Sequence, residues 1–132
     1  MIILFIKINI NAFNYIPKWH KNSYEIVSIL IKSNGMKLEI VDQYYKNNKD
    51  IVSMAVSQNG LALAYADKVL KADRDVVLMA VSQNGIALKY ASDILKANHD
   101  IVLIAVSKNG LALEYADIVL RADYDIVFAA FF

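Results

Sequence analysis

The stretch VSQNGLALAYA, residues 56–66, places an Asn-Gly pair between apolar residues that alternate along the chain. Asn-Gly between alternating apolar residues is the strongest short-range signal for a β-hairpin turn. The same pair also suits the end of an α-helix, where a glycine just past the last turn adopts the left-handed conformation. The two interpretations predict different fold classes, and the rest of the chain distinguishes them.

The Asn-Gly pair recurs with a fixed period. Every glycine of the chain follows an asparagine, and successive glycines are 25 residues apart: Gly35, Gly60, Gly85 and Gly110. Aligned on these glycines, the sequence contains repeats over 23–47, 48–72, 73–97 and 98–122, a partial repeat over 123–132, and a degenerate half-repeat or cap over 1–22. A period of about 20–50 residues is typical of a solenoid or array.

The first half of each repeat has the pattern of a short α-helix. A good N-cap residue precedes each first apolar run: Ser23, Asn48, Asp73, Asn98 and Asp123. Two residues later every copy has an acidic residue, which the helix dipole favours in the first turn. At 100° per residue, Ile51, Val52 and Ala55 share one arc, while Ser53 lies opposite. The pattern predicts a first helix of roughly nine or ten residues.

We expect the four glycines to act as structural caps that end these first helices. With Gly60 in the left-handed C′ position, the preceding helix would end in a Schellman motif, with Val56 packed against Leu61. The second half then continues as another α-helix, in which Leu63, Val69 and Leu70 lie on the apolar arc.

The sequence therefore predicts an all-α fold, an α-solenoid of helix–turn–helix repeats with a 25-residue period. On the second helices, acidic and basic residues four apart are expected to form ion pairs in the favourable order. These pairs are Asp42 with Lys46, Asp67 with Lys71, and Asp117 with Arg121.

With the repeat written out, the pattern resembles a known family. The segment DRDVVLMAVSQNGIALKYASDILKANHDIVLIAVSKNGLALEYA, residues 73–116, is similar to the tandem repeat family catalogued as domain of unknown function 4116. The resemblance covers residues 23–132, while 1–22 depart from it and 36–48 keep only the spacing. It implies a repeat found in proteins of protists and of bacteria that live in amoebae, and it brings no catalytic residues.

Composition restricts the function classes. The chain has 132 residues, enough for one core, and its 14 basic and 13 acidic residues nearly balance. The absence of cysteine excludes disulfides and thiolate sites. The first ten residues are apolar but too short to span a membrane, and they lack the features of a signal peptide. We expect a cytoplasmic protein without a membrane partner, in a host cytosol if the chain is a fragment of a secreted effector.

Nothing in the chain indicates catalysis. The two histidines, His20 and His99, occupy different repeat positions, and no phosphate-binding or nucleophile motif is present. We expect no enzyme activity, no cofactor and no metal ion. The recurring Tyr65, Tyr90 and Tyr115 are interpreted as residues that pack between layers rather than as a stacking platform.

Positions that differ between repeats are the candidate binding residues, because scaffold positions should repeat. One set occupies the first turn of successive first helices and forms a candidate binding edge: Lys49, Arg74, His99 and Tyr124. A second set occupies the polar face of the second helices and forms a candidate variable face: Glu39, Ala64, Lys89, Glu114, Gln43, Lys68, Asp93 and Ile118.

Three functions remain open from the sequence. The first is a non-catalytic scaffold that binds an unknown protein partner through one face of the solenoid. The second is a nucleic-acid-binding module that uses the candidate binding edge with the basic residues 1–49. The third is an inert spacer or a fragment of a longer array. The pair Phe131 and Phe132 is also expected to support end-to-end self-association.

Overall fold

The fold is described from a computed structural model over residues 23–132, and the half-repeat expected over residues 1–22 lies outside the described residues. In chain order the α-helices are α1 (Tyr24–Ser33), α2 (Gln43–Lys46), α3 (Lys49–Gln58), α4 (Lys68–Lys71), α5 (Arg74–Gln83), α6 (Asp93–Lys96), α7 (His99–Lys108) and α8 (Tyr124–Phe131). The 3₁₀ helices are Gly35–Ile40, Gly60–Tyr65, Gly85–Tyr90, Gly110–Tyr115 and Leu120–Ala122. Within residues 23–132 there is no β-strand, so the all-α prediction is confirmed.

The long helices α1, α3, α5, α7 and α8 begin where the sequence predicts. The side chains of Asn48, Asp73, Asn98 and Asp123 each accept a hydrogen bond from a backbone N–H of the first turn. Ser23 precedes α1 but makes no such side-chain bond. The apolar arc is also as predicted, because Ile51, Val52, Ala55 and Val56 of α3 are all buried.

The predicted left-handed glycine caps are wrong for Gly35, Gly60, Gly85 and Gly110, because no described glycine has a positive φ. The long helix α3 instead ends at Gln58, and its C-cap Asn59 has an extended backbone at φ −146° and ψ 107°. The Leu61 N–H is bonded to the Asn59 side chain at 3.0 Å, so it is not available for the Schellman bond to Val56.

The glycines are required for a different reason, which is close approach between repeats. A Cβ on Gly60 would lie far inside van der Waals contact with the carbonyl oxygen of Ala80, in the next long helix. The same holds for Gly85 against Ala105. Because the obstructing atom belongs to the backbone, no side-chain rotation can relieve the clash. Glycine therefore sets the distance between successive repeats.

The second half of the repeat is also not the continuous α-helix that the sequence predicts. Gly60–Tyr65 is a 3₁₀ helix, Ala66 is extended, and Asp67 then caps the short helix α4 by accepting from the Val69 N–H at 2.9 Å. A 3₁₀ helix has three residues per turn, so residues three apart share a face. Gly60, Leu63 and Ala66 are accordingly all buried.

The repeats stack into a single continuous core. Each long helix packs against the next, and each of the 3₁₀ helices that follow the long helices packs against its equivalent in the following repeat. The short helices are joined across repeats by backbone bonds, in which the N–H of Asp67 donates to the Lys46 carbonyl oxygen at 2.9 Å. Ser92 and Asp117 make the same bond to Lys71 and Lys96. This one-dimensional stacking is the architecture of an α-solenoid.

The helices of residues 23–132 are all too short or too polar to cross a lipid bilayer.

Candidate interaction surfaces

The candidate binding edge lies in the first turns of the long helices, as predicted, but its charged members contact the following repeat. The Lys49 ammonium lies 3.0 Å from Asp73 Oδ2 and 3.2 Å from Asp75 Oδ2. Arg74 reaches Asp100 at 3.8 Å, and His99 Nε2 lies 3.4 Å from Asp123 Oδ1. The edge is thus a series of contacts between repeats, and the cations of Lys49 and Arg74 already have carboxylate partners.

These contacts perturb the acidic groups that take part. Burial raises the pKa of the Asp73 carboxyl, but hydrogen bonds from the Val76 N–H and the Lys49 ammonium outweigh it, so the pKa lies below its usual value. The hydrogen bonds that the Lys49 ammonium donates to Asp73 and, to a smaller extent, to Asp75 hold the Lys49 pKa above its usual value. Both shifts favour the charged forms, which stabilises the folded interface at neutral pH.

The interface between α7 and α8 has the His99 imidazole at the position where the interface between α3 and α5 has the Lys49 ammonium. His99, Asp123 and Asp125 offer ligand atoms that all lie within 4.8 Å of one another. The bond from the Ile126 N–H, opposed by burial and assisted by His99, lowers the Asp123 pKa. Capping and packing between repeats therefore account for this cluster, and the geometry alone assigns it no metal ion.

The fourth member of the edge, Tyr124, makes a different contact. Its ring is exposed and stacks on Phe128, with centroids 6.1 Å apart and planes 22° apart. Phe128 in turn stacks on Phe132 at 5.1 Å. These rings form an aromatic column on α8. The open groove beside α8 is lined by Leu111, Leu113, Glu114, Arg121, Ala130 and Phe131.

The candidate variable face is divided between two elements because the second half of the repeat is broken. Glu39, Lys89 and Glu114 are exposed on the 3₁₀ helices, where Ala64 is half-buried. Gln43, Lys68 and Asp93 are exposed on the short helices, and Ile118 is exposed just before the last 3₁₀ helix. The two groups share no single helical face, but both remain on the surface.

The recurring tyrosines lie where the sequence places them. Tyr65, Tyr90 and Tyr115 are partly buried and pack against the core. The Lys89 ammonium lies 5.7 Å from the Tyr90 ring centroid and 5.9 Å from that of Tyr115. The tyrosines of two successive repeats thus bind one cation between them, which is a contact of the scaffold itself.

A surface that the sequence interpretation missed runs along the short helices. Val69 was expected on the buried arc, but 60% of it is exposed, and its equivalents in the other repeats are exposed as well. The break at Ala66 and Asp67 shifts the helical phase, so that Leu70 is buried in place of Val69. Asp67 in the middle of the presumed helix was the available signal, since aspartate is a strong N-cap residue.

The expected ion pairs on the second helices are likewise wrong. Asp42, Asp67 and Asp117 do not pair with the base four residues later, because each caps the backbone N–H two residues ahead. Within residues 23–132, Lys46, Lys71 and Lys96 make no ion pair, and Arg121 donates from Nε to the Ala116 carbonyl oxygen at 2.8 Å.

The short helices and their equivalent in the last repeat thus carry two rows of recurring side chains, which we call together the short-helix edge. The apolar row is Tyr44, Val69, Ile94 and Val119, and the basic row is Lys46, Lys71, Lys96 and Arg121.

Stacked helical repeats around one shared core, with a repeated exposed edge, define the protein as an α-solenoid. Within that class the chain belongs to the family described as "Domain of unknown function (DUF4116)". It matches the family over residues 1–46, 24–71, 48–96, 73–121 and 98–131, so successive matches overlap by about one repeat. No curated protein and no solved structure matches the chain significantly.

Proposed function

We propose that the protein is a non-catalytic scaffold that binds another protein along its stacked repeats. The observation that carries the proposal is the short-helix edge, where every described full repeat exposes an apolar residue at the same position. Exposed side chains that recur in register along stacked repeats form an extended surface, which is the kind of surface that solenoids use to bind partners.

The interior supports a scaffold because the repeats pack on one another through one continuous apolar core. The side chains buried in residues 23–132 are apolar, and the described buried side-chain polar atoms all have partners. The binding energy would then come from exposed positions that recur along a preformed surface, and little entropy is lost in ordering such a surface.

Nucleic-acid binding through the candidate binding edge is the weaker proposal. Lys49, Arg74 and His99 each lie against a carboxylate of the next repeat, so phosphates would compete with those contacts. Affinity for nucleic acid depends chiefly on cations that are available to neutralise phosphates. The carboxylates of this edge would also repel a phosphate backbone.

The test is capture of proteins by the immobilised chain from an extract of the organism that makes it. The extract is divided, one half is treated with nuclease, and bound proteins are quantified against beads that carry an unrelated α-solenoid. The proposal predicts a discrete set of enriched proteins that survives nuclease digestion. No enrichment, or enrichment that nuclease removes, would contradict it.

A further inference from the structure

The apolar row of the short-helix edge is exposed at every step. The exposed fractions are 71% for Tyr44, 60% for Val69, 80% for Ile94 and 75% for Val119. The next residue of each repeat, for example Leu70 after Val69, is buried or half-buried and anchors the segment to the core. The exposed residues are thus held in place by their neighbours, at a spacing of about 10 Å between packed repeats.

The basic row differs from the cations of the candidate binding edge because its members make no ion pair with a described carboxylate. Lys49 and Arg74, in the first turns of the long helices, are bound by carboxylates of the following repeat. By contrast, Lys46, Lys71 and Lys96 make no ion pair with a described carboxylate. Asp42, Asp67 and Asp117, which precede Lys46, Lys71 and Arg121 by four residues, are used as helix caps instead. The position before Lys96 is Ser92, so within residues 23–132 the four recurring positive charges have no paired carboxylate.

The two rows flank one exposed strip. Successive residues of α4 are about 100° apart around the helix axis. Lys71 therefore lies about 100° to one side of the buried Leu70, and Val69 lies about 100° to the other side. Lys68 and Ala72 lie between them, and both are exposed. Each repeat therefore presents a positive charge at one border of the strip and an apolar side chain at the other.

We propose that the short-helix edge binds an acidic segment of a partner protein that carries apolar residues at regular spacing. This inference rests on the proposed scaffold function and specifies the chemistry of its partner. Carboxylates of the segment would lie along the basic row, and its apolar side chains would lie along the apolar row. A spacing of about 10 Å matches three residues of an extended chain or seven residues of an α-helix.

A linear protein segment fits this edge better than a membrane does. The two rows are single files, whereas a bilayer presents a flat surface, and interfacial anchors are usually rich in Trp, Phe and Leu on the apolar side. The described apolar row contains one tyrosine and three short aliphatic side chains. RNA fits less well because three of the four apolar positions offer no aromatic face on which a base could stack.

The test uses the full chain and two fluorescent synthetic peptides, with binding measured by anisotropy. One peptide is helical, about four heptads long, with Leu and Glu each recurring every seven residues. The other is an extended peptide with an acidic and an apolar residue at every third step. We expect at least one to bind, with affinity that falls as salt is raised.

Three matched variants locate the binding. Lys71→Glu with Lys96→Glu reverses two charges of the basic row, and Val69→Ser with Ile94→Ser removes two exposed apolar side chains. Lys32→Glu with Lys108→Glu is the control, because both lysines are exposed in the last turns of long helices, away from the edge. We expect about tenfold or greater weakening in the first two variants and unchanged affinity in the control.

Several outcomes would overturn the inference. These are binding by neither peptide, equal loss in the control variant, or tighter edge-dependent binding to phosphatidylserine vesicles or to poly(U) RNA than to either peptide. Failure here leaves the scaffold proposal standing if nuclease-resistant proteins are still captured from the extract. Failure of both experiments removes the scaffold proposal itself.

Discussion

At the scale of the residue, Gly85 shows how one position sets the spacing of the repeats. It is buried, and an added Cβ would meet the Ala105 carbonyl oxygen of the next long helix. Since no described glycine has a positive φ, the left-handed conformation does not explain its presence. The absence of a side chain is what the packing requires.

We therefore expect Gly85→Ala to lower the free energy of unfolding by about 1–3 kcal/mol or more, as overpacking of a tight interface does. Urea denaturation measures the loss. Gly85→Asn discriminates between the two explanations, because asparagine tolerates the left-handed conformation better than alanine does. The steric explanation predicts that Asn costs at least as much as Ala. If Gly85→Asn cost less than Gly85→Ala, a left-handed conformation would be the better explanation of the glycine.

A second residue-scale prediction concerns a buried backbone group. The Gly60 N–H donates to the Gln83 side-chain oxygen of the next repeat at 2.6 Å. Gln83→Ala leaves this N–H without its acceptor at a partly buried site, and we expect a cost of about 1 kcal/mol. Thermal or urea unfolding measures the cost.

Gln58→Ala is the matched control for that change. The Gln58 amide donates to the Lys32 carbonyl oxygen at 2.8 Å in an exposed position, where water can replace it. We expect it to cost clearly less than Gln83→Ala. Equal costs would mean that the Gly60 contact has no special role.

At the scale of the element, the junction between α3 and α5 should respond to acid. The Asp73 pKa is lowered in the folded protein, so its contribution to stability is present above the unfolded pKa and is lost as pH falls through the folded value. We expect Asp73→Asn to reduce the loss of stability between neutral pH and about pH 3. Unfolding curves at several pH values measure this dependence.

The same position separates capping from ion pairing. Asparagine keeps the N-cap of α5 but loses the charge that faces Lys49, whereas Asp73→Ala loses both. At neutral pH we expect alanine to cost about 1 kcal/mol and asparagine less, since exposed ion pairs contribute little. If asparagine were as costly as alanine, the ion pair rather than the cap would stabilise this junction.

The elements also show how far the sequence alone could predict the fold. The long helices were predictable because capping residues, first-turn acids and a period of 3.6 all agree in residues 48–58. The 3₁₀ helices were not, because runs of that length are uncommon and the alanines of residues 60–66 fit either period. The buried series Gly60, Leu63 and Ala66, spaced by three, carried the correct signal.

The prediction of the candidate surfaces was affected by the same interpretation of the second half of the repeat as one continuous α-helix. The repeat position of Lys49 and Arg74 was correct, but their partners in the next repeat could not be derived, since contacts between repeats depend on how the layers are offset. The exposure of Val69 could not be predicted once a continuous helix was assumed. Recognising Asp67 as a second N-cap would have revealed it.

At the scale of the whole molecule, the face beside α8 is apolar and uncovered. Leu111 is exposed, whereas its equivalents Leu61 and Ile86 are half-buried against the following repeat, and Phe131 and Phe132 are exposed as well. We expect concentration-dependent association through this face, because apolar surface of this kind favours burial. Light scattering over a concentration series measures it.

Leu111→Asp with Phe131→Ser is the matched change for that association. Both residues are exposed, so the variant should keep its melting temperature and become monomeric at every concentration. A wild-type chain that is already monomeric at high concentration would contradict the expectation.

The central claim is that the repeats bind another protein through the short-helix edge. The most direct test places a photo-crosslinking amino acid at Ile94 on the edge, or at Ser82 on the exposed side of α5, and irradiates each chain in nuclease-treated extract. The account predicts cross-linked proteins from position 94 and few from position 82. Equal cross-linking from both positions, or none from position 94, would contradict it.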